Sequence, residues 1–176
     1  SIIILLMAIE KEQLLSDTFH IKSSNLLKSK NIDGLLKHKM KKQYEKRCSK
    51  NGYVIADSFD IIQRSIGKLI TLNNESYIQY EVNYRIKSII PCKDDIYECI
   101  INSITRMGII AYLNYKEKED SEIKDSPLLI IIPKESFNED NLITDYTIGQ
   151  KIKIKVLDSR IKYMSKQIQV IGEPIF

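Results

Sequence analysis

Glycine, cysteine, histidine and tryptophan are scarce or absent in this chain, and each scarcity closes off a class of function. Six glycines in 176 residues leave no material for a Gly-rich phosphate cradle, and no GxSxG or HExxH occurs. The three cysteines, Cys48, Cys92 and Cys99, are odd in number and have no CxxC spacing. That argues against a disulfide framework and for a reducing compartment. The two histidines, His20 and His38, lie far in sequence from any cysteine, so neither a structural zinc site nor any other cofactor is expected. Long apolar runs are missing too. Ser1 to Ala8 is apolar but short, and Glu10-Lys11-Glu12 follows at once, whereas a bilayer span needs about 20 apolar residues. The segment also lacks the basic start of a signal peptide, and no membrane association is expected. The chain opens on Ser1 and not on Met, which leaves room for residues upstream.

The balance of the chain is that of a globular protein, with 43% hydrophobic and 28% charged residues. The net charge of +4 is too mild to imply a nucleic-acid partner by itself. Ile, Lys and Asn are abundant. Their codons are AT-rich, which points towards a parasite or a large DNA virus as source.

Ile2 to Ile9 reads as a buried strand, continuous and β-branched. Glu10 to Thr18 reads as a connection and Phe19 to Leu27 as a second strand. Asn31 or Asp33 caps a helix running to about Arg47, with Leu35, Leu36, Met40 and Tyr44 along one stripe. Its other side carries Lys37, Lys39, Lys41, Lys42, Lys46 and Arg47. This is a nucleic-acid or acidic-partner surface or, as charge runs usually are, the solvated back of an amphipathic helix. Tyr53 to Ala56 and Ile66 to Ile70 are short strands. The clearest pattern is Ile78, Tyr80, Val82, Tyr84 and Ile86 alternating with Gln79, Glu81, Asn83, Arg85 and Lys87, a half-buried antiparallel strand. Pro91 to Asp95 reads as the boundary between two domains, 1–92 and 93–176. The first is then α+β, an antiparallel sheet with one helix. In the second, strands are expected at Ile96–Ile104, Met107–Tyr115, Leu128–Ile132, Lys151–Leu157 and Lys166–Gly172, and five short strands suit a closed barrel of OB type. Lys116 to Ser126 reads as a mobile polar loop.

Catalytic constellations are absent, and the chain is not expected to be an enzyme by itself. Asp94-Asp95, Glu117-Glu119-Asp120 and Glu139-Asp140 read as solvated linker and loops, with no metal site among them. The informative segment is Ile148 to Asp158. Ile152, Ile154 and Val156 point one way, and Lys151, Lys153 and Lys155 the other. The ammonium groups then stand about 7 Å apart, close to the phosphate spacing of an extended single strand, so the row either tracks a nucleic-acid backbone or protects an edge strand. Tyr97, Tyr112 and Tyr115 lie on or near the first two barrel strands, as base-stacking platforms or as core residues with wet hydroxyls. Alternation forbids all three from sharing a face. Arg106, in the tight turn, is placed to meet phosphate or a base. Asp60 to Leu69 is unusually apolar for a connection, with Ile61, Ile62 and Ile66 near Arg64, which marks it as a docking segment.

Two stretches resemble the S1-type OB domain of RNA-binding proteins: Glu98-Cys99-Ile100-Ile101-Asn102-Ser103-Ile104 followed by Gly108-Ile109-Ile110-Ala111-Tyr112-Leu113, and Gly149 to Leu157. The first half resembles the tip domain of the seventh-largest, or stalk, subunit family of eukaryotic and archaeal DNA-dependent RNA polymerases. There the likeness runs through Cys48 to Ile55, Asp60 to Leu69, Tyr80 to Arg85 and Pro91. The order of parts agrees from about Phe19 to the end. The segment 1–17 is longer than the family pattern, and the tip loop is poorer in glycine.

The resemblance implies a non-catalytic subunit that pairs with a smaller helical partner. Its tip docks on the polymerase core through Ile61, Ile62, Arg64, Ile66 and Gly67. Its barrel meets nascent single-stranded RNA through Arg106, Tyr112, Tyr115, Lys151, Lys153 and Lys155. It would work in the nucleus or, if viral, in the virion or a cytoplasmic viral factory. The competing expectation is an S1/OB-fold RNA-binding protein of translation or RNA processing.

Overall fold

A computed structural model describes residues 9–176. The strand expected over Ile2–Ile9 therefore lies, apart from Ile9, outside the described residues. Among the described residues the chain is mostly β, with two α-helices and two sheets, one of them closed.

The first sheet is built on one long strand, β6 (Glu75–Ile89), 15 residues. Its alternating pattern is the cause. Tyr80, Val82, Tyr84 and Ile86 are buried on one face, while Glu81, Asn83 and Lys87 are exposed on the other. One edge of β6 is covered along its length by β1 (Lys11–Lys22), from Lys11 opposite Ser88 to Lys22 opposite Tyr77. The other edge is shared in turn by β5 (Lys68–Leu72), β4 (Asp60–Arg64) and β3 (Gly52–Val54), the last backed by β2 (Cys48–Ser49). Asn73 and Asn74 take φ of 49° and 61°, the left-handed pair that a tight hairpin between β5 and β6 requires.

Three expectations are corrected here. Glu10 to Thr18 is not a connection, because all of it from Lys11 lies in β1. The second strand does not reach Leu27; it ends at Lys22, and α1 (Ser23–Lys28) follows. Asp60 to Leu69 is not a loop but contains β4, the start of β5 and a three-residue link.

Helix α2 (Ile32–Tyr44) starts where expected, with the Asn31 side chain accepting from the Gly34 amide at 3.0 Å. Leu36 and Met40 are fully buried and pack with Phe19, Ile21, Val82 and Tyr84. The helix ends before Arg47, since Lys46 turns to φ 54° and its amide bonds the Val54 carbonyl. Two of its lysines are part of the scaffold: Lys41 pairs with Asp57, and the Lys39 ammonium donates to the His20 carbonyl.

The chain passes from the first sheet to the second through Ile90–Asp95. There Asp95 accepts from the Cys92 amide at 2.9 Å and the Tyr97 hydroxyl at 3.1 Å, a structural use of the acidic pair. The second sheet is a closed barrel of β7 (Ile96–Thr105), β8 (Gly108–Leu113), β9 (Leu128–Pro133), β10 (Lys151–Arg160) and β11 (Ile168–Pro174). The order around it is β7-β8-β9-β11-β10 and back to β7, with β9 and β11 parallel and the other pairs antiparallel. Cys99, Ile101, Ile109, Leu113, Ile130, Ile154 and Val170 fill the interior. Cys48, Tyr53, Ile55 and Ile89 of the first sheet join this same apolar cluster, and the Cys48 amide bonds the Ser165 carbonyl at 2.9 Å. The two sheets therefore share packing.

The polar stretch 116–126 is anchored at its end. Ser126 is buried and donates to the Leu113 carbonyl at 2.9 Å, and Gln167 donates to the carbonyls of Lys124 and Ser126. The expected mobile loop is thus pinned at the β9 side by buried polar contacts.

Gly108 is the tightest point of the barrel. Its φ is +145°, and a Cβ there would stand 2.2 Å from the Ile132 carbonyl oxygen. That oxygen is backbone and cannot move without opening the β8–β9 ladder. Gly108→Ala should cost about 3 kcal/mol, the upper range for backbone strain at one residue. Urea unfolding with an unchanged m-value checks it, and a loss below about 1 kcal/mol would refute the strain argument.

Candidate nucleic-acid interface

The lysine row sits on β10. The turn that leads into it is fixed by Gly149, at φ +89°, whose amide donates to the Ile101 carbonyl at 2.8 Å. From there Ile152, Ile154 and Val156 enter the core, while Lys151 and Lys153 are exposed and Lys155 is half-buried. The alternation is as read from the sequence, but the surroundings are not. β10 is no edge strand: β7 pairs with it on one side and β11 on the other. The edge-protection alternative is therefore overturned by the closure of the barrel.

Closure also brings carboxylates to the row. Glu98 lies directly across from Lys153, and Glu173 directly across from Lys155. Lys151 reaches Glu98 at 3.7 Å and Lys155 reaches Glu173 at 3.0 Å. Its bond to Glu173, and that carboxylate's charge, raise the Lys155 ammonium above its ordinary value. Among the described residues Lys153 has no ion-pair partner. Three ammonium groups thus face two carboxylates, which leaves Lys153 the least compensated of the row. If the row follows a single-stranded RNA backbone, Lys153→Gln should flatten the slope of log affinity against log salt by about 0.7, the figure for one phosphate contact. Lys151→Gln and Lys155→Gln should each do less, because each ammonium is already compensated. Filter binding across a salt series checks this, and equal slopes for the three variants would refute the ranking.

The aromatic candidates separate. Tyr112 is half-buried on the outer face of β8, in one row with Ile100 of β7 and Lys151 of β10, about 10 Å from the latter at two strand spacings. Tyr115 is no stacking platform. It is buried in the shared apolar cluster, and its hydroxyl donates to Glu10 at 2.7 Å. Tyr97 is likewise buried. Arg106 is exposed in the turn between β7 and β8, beside an 83% exposed Met107. It lies six residues beyond Ile100, roughly 20 Å from the Lys151 row along the strand. The structure therefore unites Tyr112 and Lys151, and leaves Arg106 at a separate end.

Two features escaped the sequence reading. Ile110, Ile131 and Ile171 stand in register across β8, β9 and β11, so the outer face next to Tyr112 is aliphatic. Continuous apolar runs gave no sign of which face each residue takes. The second is basic: Arg160, Lys162 and Gln169 line a cavity of about 240 Å³ beside the loop from β10 to β11. The arginine and lysine are exposed and, among the described residues, in no ion pair.

At the far end of the first sheet the docking candidates also separate. Ile66 is 93% exposed, Leu69 68% and Ile62 49%. Ile61 is half-buried against the helix-covered core. Arg64 is held by Asp33 at 2.7 Å and lies over the Tyr80 ring at 5.6 Å. Gly67 is a close approach, since a Cβ there would meet Ile78 Cγ2 at 2.5 Å. Exposed aliphatic side chains thus occur on β4 (Ile62), on the link shaped by Gly67 (Ile66) and on β5 (Leu69). Among the described residues no set of three or more His, Cys, Asp or Glu is placed to hold a metal ion, and no helix is long and apolar enough to cross a membrane.

No protein-family model matches the chain. No curated protein matches it either. Among solved structures it is similar to an uncharacterized protein from Methanocaldococcus jannaschii, at 13% identity, over 49% of this chain and 96% of that one, with a TM-score of 0.36.

Proposed function

We propose that this chain is the stalk subunit of a multisubunit DNA-dependent RNA polymerase, docking on the polymerase core by its first sheet and meeting nascent RNA with its barrel. The observation that carries the reading is the run of exposed aliphatic side chains Ile62, Ile66 and Leu69, which leads along β4, the link and β5 towards the sheet end remote from the barrel. Leu69 lies opposite Ile78, eleven residues up β6 from Ile89 and therefore roughly 36 Å from the junction. Apolar side chains this exposed on a sheet end call for a protein partner. The strand order and the parallel β9/β11 pair support reading the barrel as an OB fold. Lys153, Tyr112, Arg106 and the Arg160–Lys162 loop give it a scattered, mildly basic surface suited to sequence-tolerant contact with single strands. A smaller helical subunit completes the stalk, and the chain works wherever its polymerase does, in a nucleus or a viral factory.

Purification of the native protein at moderate salt tests the reading. The expected companions are the large catalytic polymerase subunits in equal amounts. Companions drawn only from ribosomes or RNA-processing complexes would replace this reading with the translation or processing alternative.

A further inference from the structure

A cavity of about 510 Å³ opens where the end of α2 meets the loop between β8 and β9. Glu45 and Tyr53 line it on one side, Tyr115 and Glu117 on the other. Glu117 was expected in a solvated loop; instead both its carboxylate oxygens are buried. Those two atoms, and Oε2 of Glu45, accept no hydrogen bond among the described residues. Burial first, and then the Glu117 carboxylate as a neighbouring charge and acceptor, push the Tyr53 phenol well above its ordinary value, so that phenol stays neutral and is one weak donor on the wall of the cavity. Buried carboxylate oxygens are almost always met by donors, since leaving them bare is costly.

The rim has the opposite character. Lys46, Lys116, Lys124 and Lys166 are exposed and Arg47 is half-buried. Among the described residues none of the five is in an ion pair. Glu122 and Asp125 also line the mouth, exposed on the loop side. Unmet acceptors at depth and unmatched cations at the rim call for a ligand that is cationic at its tip and anionic around it.

We propose that this cavity receives the guanidinium of an arginine carried on an otherwise acidic polypeptide segment of a partner protein. A guanidinium offers five donors in a planar fork, enough for these carboxylate oxygens and stronger than the Tyr53 hydroxyl beside them. The flanking acidic residues meet the rim lysines, which outnumber what the single carboxylate of free arginine can serve. The cavity alone carries this assignment, which stands whether or not the chain belongs to a polymerase.

Fluorescence anisotropy with the full chain tests it. The probes are a labelled acidic peptide with a central arginine, the same peptide with glutamine in that place, and free L-arginine as competitor. The arginine peptide should bind at least about tenfold tighter than the glutamine peptide. Glu117→Gln should abolish most of that difference, and so should Glu45→Gln, which serves if the first variant does not fold. Lys124→Glu with Lys166→Glu should weaken both peptides alike. Without any peptide, Glu117→Gln should melt no lower than the parent, because it removes a bare buried charge. Equal affinity for the two peptides, or a preference that survives both glutamine variants, overturns the proposal. Competition by L-arginine at the peptide's own concentration overturns the polypeptide part of it.

Discussion

Raising the pH above about 10 should unfold this protein in one cooperative step. Tyr53, Tyr84, Tyr97 and Tyr115 are all buried. Burial first, and then a neighbouring carboxylate in each case, raises every one of these phenols well above its ordinary value. The carboxylates are Glu117, Asp17, Asp95 and Glu10. The Cys99 thiol, in the barrel interior, is pushed up to about 12, mainly by burial. The sign follows from proton counting. Below about pH 10 the phenols are neutral in both the folded and the unfolded chain and contribute nothing to the pH dependence. Above it the unfolded chain releases these protons and the folded chain keeps them, so stability falls as pH rises. Each such phenol contributes about 1.4 kcal/mol per pH unit. Four together reach on the order of 5 kcal/mol per unit, against a total stability of about 5–15 kcal/mol for a domain.

Phenolate absorbance and far-UV circular dichroism, followed on one alkaline titration, should therefore change together. Tyr115→Phe costs about 1 kcal/mol at neutral pH, through the lost bond to Glu10, yet should shift the alkaline midpoint upward. Stepwise ionisation of all ten tyrosines without loss of secondary structure would show these phenols to be open to water.

The parts of this fold that were legible in the sequence are those whose signal is local. β6 announced itself because one of its faces is buried and the other wet, so period-2 alternation is written along Ile78–Lys87. The five barrel strands were bounded by their own turn residues, Gly108, Pro133 and Gly149 among them. β1 was hidden because only Phe19 and Ile21 of its twelve residues are buried hydrophobics. What makes Lys11–Thr18 a strand is the edge of β6 some 70 residues away, and no local pattern carries that. β4 was hidden similarly, with Ile61 its only residue packed against the core.

The site was legible to the same degree and for the same reason. The facing of Lys151, Lys153 and Lys155 followed from alternation. The pairing of Lys151 with Glu98 and of Lys155 with Glu173, which leaves Lys153 over, depends on the register of β10 against β7 and β11, which is long-range. Tyr112 lies on β8, but Tyr115 lies two residues past its end, where strand alternation no longer sets the facing. Only the packing of the first sheet on the barrel decides that Tyr115 is the buried one. The carboxylate of Glu117 read as loop because nothing in its neighbours in sequence foretells Tyr53 beside it.

On the proposed stalk function, replacing Ile62 and Ile66 together by Ser should release the chain from the polymerase core while leaving RNA binding by the barrel intact. Both side chains project from the β4–β5 region, 49% and 93% exposed, so the isolated fold loses little. A stability change within about 0.5 kcal/mol is expected, as for surface positions generally. In the assembly each would be buried against a partner, and removing both should cost on the order of 3 kcal/mol of binding, more than a hundredfold in Kd. Ile61→Ser is the contrasting control. Ile61 packs against the helix-covered core, so that change should lower the melting temperature of the isolated chain. In the other direction, Lys153→Gln combined with Arg160→Gln should weaken RNA binding and keep the core. The two sets lie on different sheets, and their effects should add within about 0.5 kcal/mol. Capture of core subunits by each variant, beside filter binding to single-stranded RNA, measures both at once. If the Ile62 and Ile66 pair still captures the core at the parent's affinity, the exposed sheet end is not the docking surface, and the stalk reading loses the observation that carries it.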